Sequence, residues 1–106
     1  MTVKSLSLLI LLLLALTAAT ALAHTPLCSC YDNGDGTITC EGGFSDGSSA
    51  SGVAVRVEAS DGTVLKAGRM DADSEFQFDK PDSSYRVLFD AGPGHVISID
   101  GSSIVE

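Results

Sequence analysis

The sequence predicts an all-β protein, an antiparallel β-sandwich of about seven short strands that is preceded by a cleavable signal peptide. Three observations support this fold class. Short runs in which apolar and polar residues alternate recur along the chain. Turn-forming residues separate these runs about every ten residues. No stretch after residue 23 keeps the apolar period of a helix. Together these features are typical of a sandwich or an open barrel.

Residues 1–23 have the order of a secretory signal peptide. Lys4 gives a positive start, and the uninterrupted apolar run from Leu8 to Leu16 is too short to span a bilayer. The small-residue ending Ala21-Leu22-Ala23 has the form of a signal-peptidase site. We therefore expect cleavage after this ending, which would make His24 the first residue of a periplasmic or secreted protein. A lipid anchor on Cys30 is the alternative fate of the chain.

Length and charge limit the function of the mature chain. The 83 residues that remain of 106 are enough for one domain with a thin core, which a disulfide or a metal ion would help to stabilise. All 14 acidic residues and five of the six basic residues lie in this part, so its formal charge is −9. Because no basic patch exists, we do not expect nucleic acid binding. No segment after residue 23 is apolar enough for a transmembrane anchor.

The first part of the mature chain, residues 24–41, is predicted to be a cysteine-containing hairpin. Asn-Gly and Asp-Gly pairs indicate a turn between two short strands. A three-residue loop from Gly34 to Gly36 would set Cys30 opposite Cys40, whereas a four-residue loop would turn the two side chains apart. Cys28 is the other candidate partner of Cys40, and either disulfide leaves one thiol over.

Residues 42–106 are predicted to form the body of the sandwich, in a single domain with the hairpin. A loop rich in Gly and Ser comes first, over residues 42–52, with Phe44 as its apolar anchor. Five alternating runs follow, separated by turn signals: Val53–Glu58, Thr63–Lys66, Glu75–Asp79, Tyr85–Phe89 and His95–Ile99. We expect the four phenylalanines in the core: Phe44, Phe76, Phe78 and Phe89.

Two groups of segments resemble known families. The first group is Phe44-Ser45-Asp46-Gly47, Val53-Ala54-Val55-Arg56-Val57, Ser60-Asp61-Gly62 and Gly68-Arg69-Met70-Asp71. It resembles carboxypeptidase-regulatory-like and Cna-B-like β-sandwich modules. The second group is Phe76-Gln77-Phe78, Tyr85-Arg86-Val87 and Gly92-Pro93-Gly94-His95. It is similar to the small extracytoplasmic domain associated with nickel and cobalt transporters, in which a Gly-x-Gly-His end and a His after the signal peptide recur.

The resemblance implies contact with a metal ion at His24 and His95, and a membrane metal transporter as a partner. Two features of the chain depart from the family pattern. Ser74 stands at a turn position that is usually Gly, and the insert from Cys28 to Cys40 is not part of the pattern. Family members also commonly add a membrane-anchoring helix, which we do not expect here.

His24 heads the candidate metal ligands. At a new N-terminus its α-amino nitrogen and Nδ1 can chelate one ion, an arrangement that copper(II) and nickel(II) favour. Cys28 and Cys30 would add sulfur suited to copper(I), zinc or nickel once deprotonated. His95 would complete the set if the last strand runs beside the N-terminal segment. If Cys30 pairs with Cys40, the site depends mainly on histidine and favours copper(II) or nickel(II) over copper(I).

These features favour an exported protein that binds a nickel, cobalt or copper ion, as a carrier or an accessory of transport. The alternative is a structural or protein-interaction module whose hairpin is stapled by a disulfide and which binds no metal. We do not expect an enzyme, because the chain has only two histidines and no nucleophile in a recognisable context. The C-x-C spacing outside any βαβ pattern also argues against a thioredoxin-like role.

Overall fold

Two antiparallel sheets form the protein, as the computed structural model describes it for residues 24–106. The predicted signal peptide, residues 1–23, lies outside these described residues. Seven strands make up the sheets: β1 Pro26–Asp32, β2 Thr37–Phe44, β3 Ala54–Ala59, β4 Val64–Arg69, β5 Glu75–Asp79, β6 Tyr85–Asp90 and β7 Val96–Asp100. One turn of 3-10 helix, Gly101–Ser103, follows β7. The predicted fold class, an all-β sandwich, is confirmed.

The strand order brings the beginning and the end of the described chain together. One sheet has the order β1-β2-β5 and the other the order β4-β3-β6-β7. The edge strand β1 of the first sheet lies against the edge strand β7 of the second. Asp32 N–H at the end of β1 donates to the Val105 carbonyl at 2.9 Å. The N-terminal hairpin is therefore two of the three strands of one sheet.

The core lies between the sheets and contains the inward side chains that the alternation predicts. Phe76 and Phe78 on β5 and Tyr85, Val87 and Phe89 on β6 are all buried. Phe44, which we also expected in the core, is half-buried and packs against it at one end. The remaining buried apolar residues are Ile38, Cys40, Ala50, Val55, Val57, Met70 and Ile104.

Strand β2 runs three residues beyond the predicted hairpin. The hairpin was expected to end at residue 41, but β2 continues to Phe44, which pairs with Pro26. Gly42 lies in this extension, where an added Cβ would come within 2.6 Å of the Phe89 ring. Glycine weakens a strand by propensity but permits such a close approach. The packing of Phe89 therefore requires glycine in the extended strand.

Strand β4 also extends beyond its prediction, to Arg69 instead of Lys66. It continues because Arg69 and Gly68 pair with the first residues of β3. Gly68 is needed where it stands, since a Cβ there would lie 2.6 Å from the Phe76 ring. In the turn after β4, Ser74 adopts φ 61°, which lies in the left-handed region that favours glycine. Its Oγ accepts a hydrogen bond from Ala50 N–H at 2.9 Å.

A network of charged side chains covers the outer face of the four-stranded sheet. Glu58 accepts hydrogen bonds from Arg56 Nε at 2.7 Å and from Arg86 at 3.0 Å. Arg56 also donates to Asp90 at 3.1 Å. The hydrogen bond from Arg56 is the largest cause that holds the pKa of Glu58 below its usual value, and the hydrogen bond from Arg86 is the second. Folding therefore favours the ionised form of Glu58.

Glu58→Gln is expected to make the free energy of unfolding less sensitive to acid. Because the pKa of Glu58 is lowered by folding, its stabilising contribution is present at neutral pH and is lost as the pH falls through the folded-state pKa. Glutamine does not titrate. The free energy of unfolding of the variant is therefore lower than that of the wild type at neutral pH, and it decreases less on acidification. Urea unfolding at neutral pH and at about pH 3 measures both values. Asp82→Asn, in an exposed loop, is the control. An equal acid loss in the wild type and Glu58→Gln would contradict this prediction.

Candidate metal site at the N-terminal segment

His24 lies at the end of the sandwich where β1 begins, and the chain beside it is fixed. Thr25 N–H donates to Ser45 Oγ at 3.0 Å, and Ser45 N–H donates to the Thr25 carbonyl at 2.9 Å. The imidazole lies edge-on to the Phe44 ring, with the ring centroids 6.4 Å apart. The side chain of His24 nevertheless remains 62% exposed. The ring is therefore held on one side and open to solvent on the other.

Asp46 is the nearest charged partner of His24. Nδ1 of His24 lies 2.9 Å from Oδ2 of Asp46. The other oxygen, Oδ1, accepts hydrogen bonds from the Ser48 hydroxyl at 2.7 Å and from Ser48 N–H at 3.0 Å. These two hydrogen bonds hold the pKa of Asp46 below its usual value. The carboxylate is thus ionised at neutral pH, and one of its oxygens faces the imidazole.

The sequence interpretation did not include Asp46 among the candidate ligands. It treated this Asp-Gly pair as part of the sandwich pattern, although one signal could have found it. In the register that sets Cys30 opposite Cys40, each step away from the turn lowers the residue number on β1 by one and raises the residue number on β2 by one. Continued past Pro26 and Phe44, that register brings His24 beside Asp46.

The structure joins Cys30 to Cys40 in a disulfide and leaves Cys28 free. The three-residue loop of the two alternatives is the one present, because Asn33 N–H donates to the Thr37 carbonyl at 3.0 Å and closes the turn around Gly34 to Gly36. With its sulfur in the disulfide, Cys30 offers neither a thiolate to a metal ion nor a thiol to a lipid.

Cys28, the remaining thiol, faces the core. It stands opposite Gly42 in the hairpin and packs against the buried cluster. Burial raises the pKa of its thiol to about 11. At neutral pH only about one such thiol in ten thousand is ionised, and the thiolate is the form that binds metal. Cys28 is therefore a poor metal donor in the folded state.

His95 lies at the same end of the sandwich as His24. It directly precedes β7, where Val96 pairs with Asp90, and the neighbouring Phe89 packs against Phe44 with ring centroids 6.3 Å apart. His95 is exposed, and its Nδ1 lies 3.1 Å from the Pro93 carbonyl.

The four ligands expected from the sequence do not form one cluster. Within residues 24–106, no three side chains of the types His, Cys, Asp and Glu come together as a group that could hold a metal ion. His24 and Asp46 are in contact, His95 shares their end of the sandwich, Cys30 is oxidised and Cys28 is half-buried. The donors available near the predicted N-terminus are therefore nitrogen and oxygen atoms.

In the part of the chain that is described, no helix has the length and apolar character needed to cross a membrane. No family model matches the chain, and searches of curated proteins and of solved structures also find no match to it.

Proposed function

We propose that the protein is exported and binds a divalent transition-metal ion through His24 as its N-terminal residue. The observation that supports this is the position of the imidazole, anchored by Phe44 and Thr25 and open to solvent directly after the predicted cleavage site. Cleavage would add an α-amino group on the same residue. The amine and Nδ1 can then close a chelate ring on one ion without any change in the sandwich.

The donor atoms favour copper(II) or nickel(II) over copper(I). Copper(I) prefers soft sulfur ligands, and imidazole and amine nitrogens suit the divalent ions. The Cys30–Cys40 disulfide and the raised pKa of Cys28 leave the hairpin with few thiolates. Loading with metal is then independent of a reductant. Delivery of the ion to a membrane metal transporter is part of this proposal, and the formal charge of −9 helps to attract cations.

An extra Ala placed before His24 is expected to weaken metal binding about tenfold or more, which is about 1.4 kcal/mol of binding free energy. The insertion moves the α-amino group away from Nδ1, so the chelate ring is lost. Wild type and variant are exported to a bacterial periplasm, and their N-termini are verified by mass. Native mass spectrometry with copper(II), nickel, cobalt and zinc in turn then compares how much of each ion is retained.

His95→Asn is the companion variant. It tests whether the second histidine at this end also binds the ion, and it leaves the N-terminus unchanged. A smaller loss than that of the Ala insertion is expected if His95 supplies one additional nitrogen. Wild-type protein that begins at His24 and retains none of the four ions would contradict the proposed function. Retention that is unaffected by the Ala insertion would remove His24 from the site.

The alternative function is a structural or protein-interaction module that binds no metal. The features that favour it are the disulfide across the hairpin and the edge strand β4, which is exposed along its whole length. Val64 and Leu65 in β4 are 52% and 47% exposed, and an unpaired edge of this kind can accept a strand from a partner. The metal-retention experiment separates the two functions, because the alternative requires no bound ion.

A further inference from the structure

We infer that the Asp46 carboxylate is a ligand of the metal ion bound at His24, which is an extension of the proposed function. The contact between Nδ1 of His24 and Oδ2 of Asp46 has a length of 2.9 Å. Two ligand atoms that are each about 2.0–2.1 Å from an ion and about 90° apart lie roughly 2.9 Å from one another. The separation of these two atoms is therefore that of two neighbouring ligands of one ion.

The proton balance of this exchange is simple. In the metal-free protein the contact is a hydrogen bond from Nδ1–H to Oδ2 when the imidazole is neutral. Metal binding uses the Nδ1 lone pair, one lone pair of Oδ2 and the lone pair of the α-amino nitrogen. The imidazole proton moves from Nδ1 to Nε2, and the α-ammonium group releases one proton to solvent. With the α-amino group of His24, the ion then has two nitrogen donors and one oxygen donor. Mixed nitrogen and oxygen ligands in a tetragonal arrangement are typical of copper(II) and nickel(II).

The surroundings of Asp46 fix its carboxylate before a metal ion arrives. Ser48 N–H and the Ser48 hydroxyl both donate to Oδ1, so rotation of the carboxylate is restricted and Oδ2 is left facing the imidazole. Thr25 and Ser45 exchange hydrogen bonds between His24 and Asp46, which keeps the two residues in register. Little conformational entropy is then lost when the ion binds.

The chain contains a matched control for this carboxylate. Asp61-Gly62-Thr63 repeats the pattern of Asp46-Gly47-Ser48, and Asp61 Oδ1 likewise accepts a hydrogen bond from the backbone N–H two residues later, at 2.9 Å. This turn connects β3 to β4 at the opposite end of the sandwich from His24. Asn at either position keeps the oxygen that caps the turn and removes only the negative charge.

Asp46→Asn is expected to weaken copper(II) binding about tenfold or more, and Asp61→Asn to leave it within about twofold of wild type. The dissociation constants are measured on the exported proteins by competition with a chelator of known affinity. Electron paramagnetic resonance of the copper-loaded proteins supplies a second readout. Loss of an oxygen donor should change the copper(II) spectrum of Asp46→Asn and not that of Asp61→Asn.

Asp46→Glu keeps the charge but lengthens the side chain, so it cannot hold both Ser48 and the ion in the same geometry. Its loss of affinity should be smaller than that of Asp46→Asn, and it provides a test if the Asn variant does not fold. Wild-type affinity in Asp46→Asn, or in Asp46→Glu if Asp46→Asn does not fold, would overturn the inference. So would equal losses in the Asp46→Asn and Asp61→Asn variants. In each case the proposed function would stand, whereas wild-type protein that retains none of copper(II), nickel, cobalt and zinc would overturn both.

Discussion

Phe89→Ala is expected to lower the free energy of unfolding by about 3–5 kcal/mol, the usual loss for a buried phenylalanine. Phe89 is fully buried and packs against the Phe44 ring with centroids 6.3 Å apart. The backbone at Gly42 lies so close to the ring that an added Cβ would be 2.6 Å from it. A domain of this length is stable by roughly 4–12 kcal/mol, so the substitution removes a large part of the total.

Urea unfolding followed by circular dichroism measures this loss, with Leu88→Ala as the control. Leu88 is the next residue back along β6, but it lies on the outer face and is half-buried, so about 1 kcal/mol or less is expected. Similar losses in the two variants would contradict the assignment of Phe89 to the centre of the core. Because Phe89 supports Phe44, and Phe44 contacts His24, the variant should also bind metal more weakly at temperatures where it is still folded.

Alternation predicted the strands well wherever one face of a strand is buried. In Glu75–Asp79 and Tyr85–Asp90, every second side chain points into the core, so the period of two is visible in the sequence. The ends of β2 and β4 were missed for a physical reason. Gly42 and Gly68 have low strand propensity, but both are required by phenylalanine rings that lie on other strands. Local patterns do not contain such tertiary contacts.

Prediction of the disulfide was limited by the unknown register of the hairpin and not by the number of cysteines. The sequence allowed Cys40 to pair with Cys30 or with Cys28. A three-residue loop sets Cys30 opposite Cys40, whereas a loop one residue longer turns these two side chains apart. The loop observed has Gly34 and Gly36 in the left-handed region, at φ 79° and 93°. These two glycines permit a three-residue turn that other residues would strain. The disulfide follows from that turn.

The candidate site was predictable only in part. His24 follows from the signal-peptide pattern, but its contact with Asp46 depends on the same hairpin register, which the sequence left open. The relation of His95 to His24 depends on how two sheets stack, and no spacing along the chain encodes that. The register thus links the disulfide in the middle of the hairpin to the pair of donors at its open end. A perturbation of the disulfide should therefore reach the proposed metal site.

Replacing both Cys30 and Cys40 with Ala is expected to lower the free energy of unfolding by about 3 kcal/mol, the value that the chain-entropy model gives for a closed loop of roughly ten residues. For a domain of this size the melting temperature should fall by about 12–24 °C. Since the disulfide also fixes the pairing of β1 with β2, His24 and Asp46 should lose alignment and copper(II) affinity should decrease.

Cys28→Ser is the matched control for the disulfide, since it alters a cysteine on the same face of β1 without breaking a covalent link. About 1 kcal/mol or less is expected for it, because Cys28 is only half-buried and forms no bridge. Calorimetry of the wild type, Cys28→Ser and the double variant under oxidising conditions measures the difference. A double variant that melts within a few degrees of Cys28→Ser would show that backbone pairing and the glycine turn alone hold the register. In that case copper(II) affinity should also be retained, because the alignment of His24 with Asp46 would depend on the strand ladder and not on the disulfide.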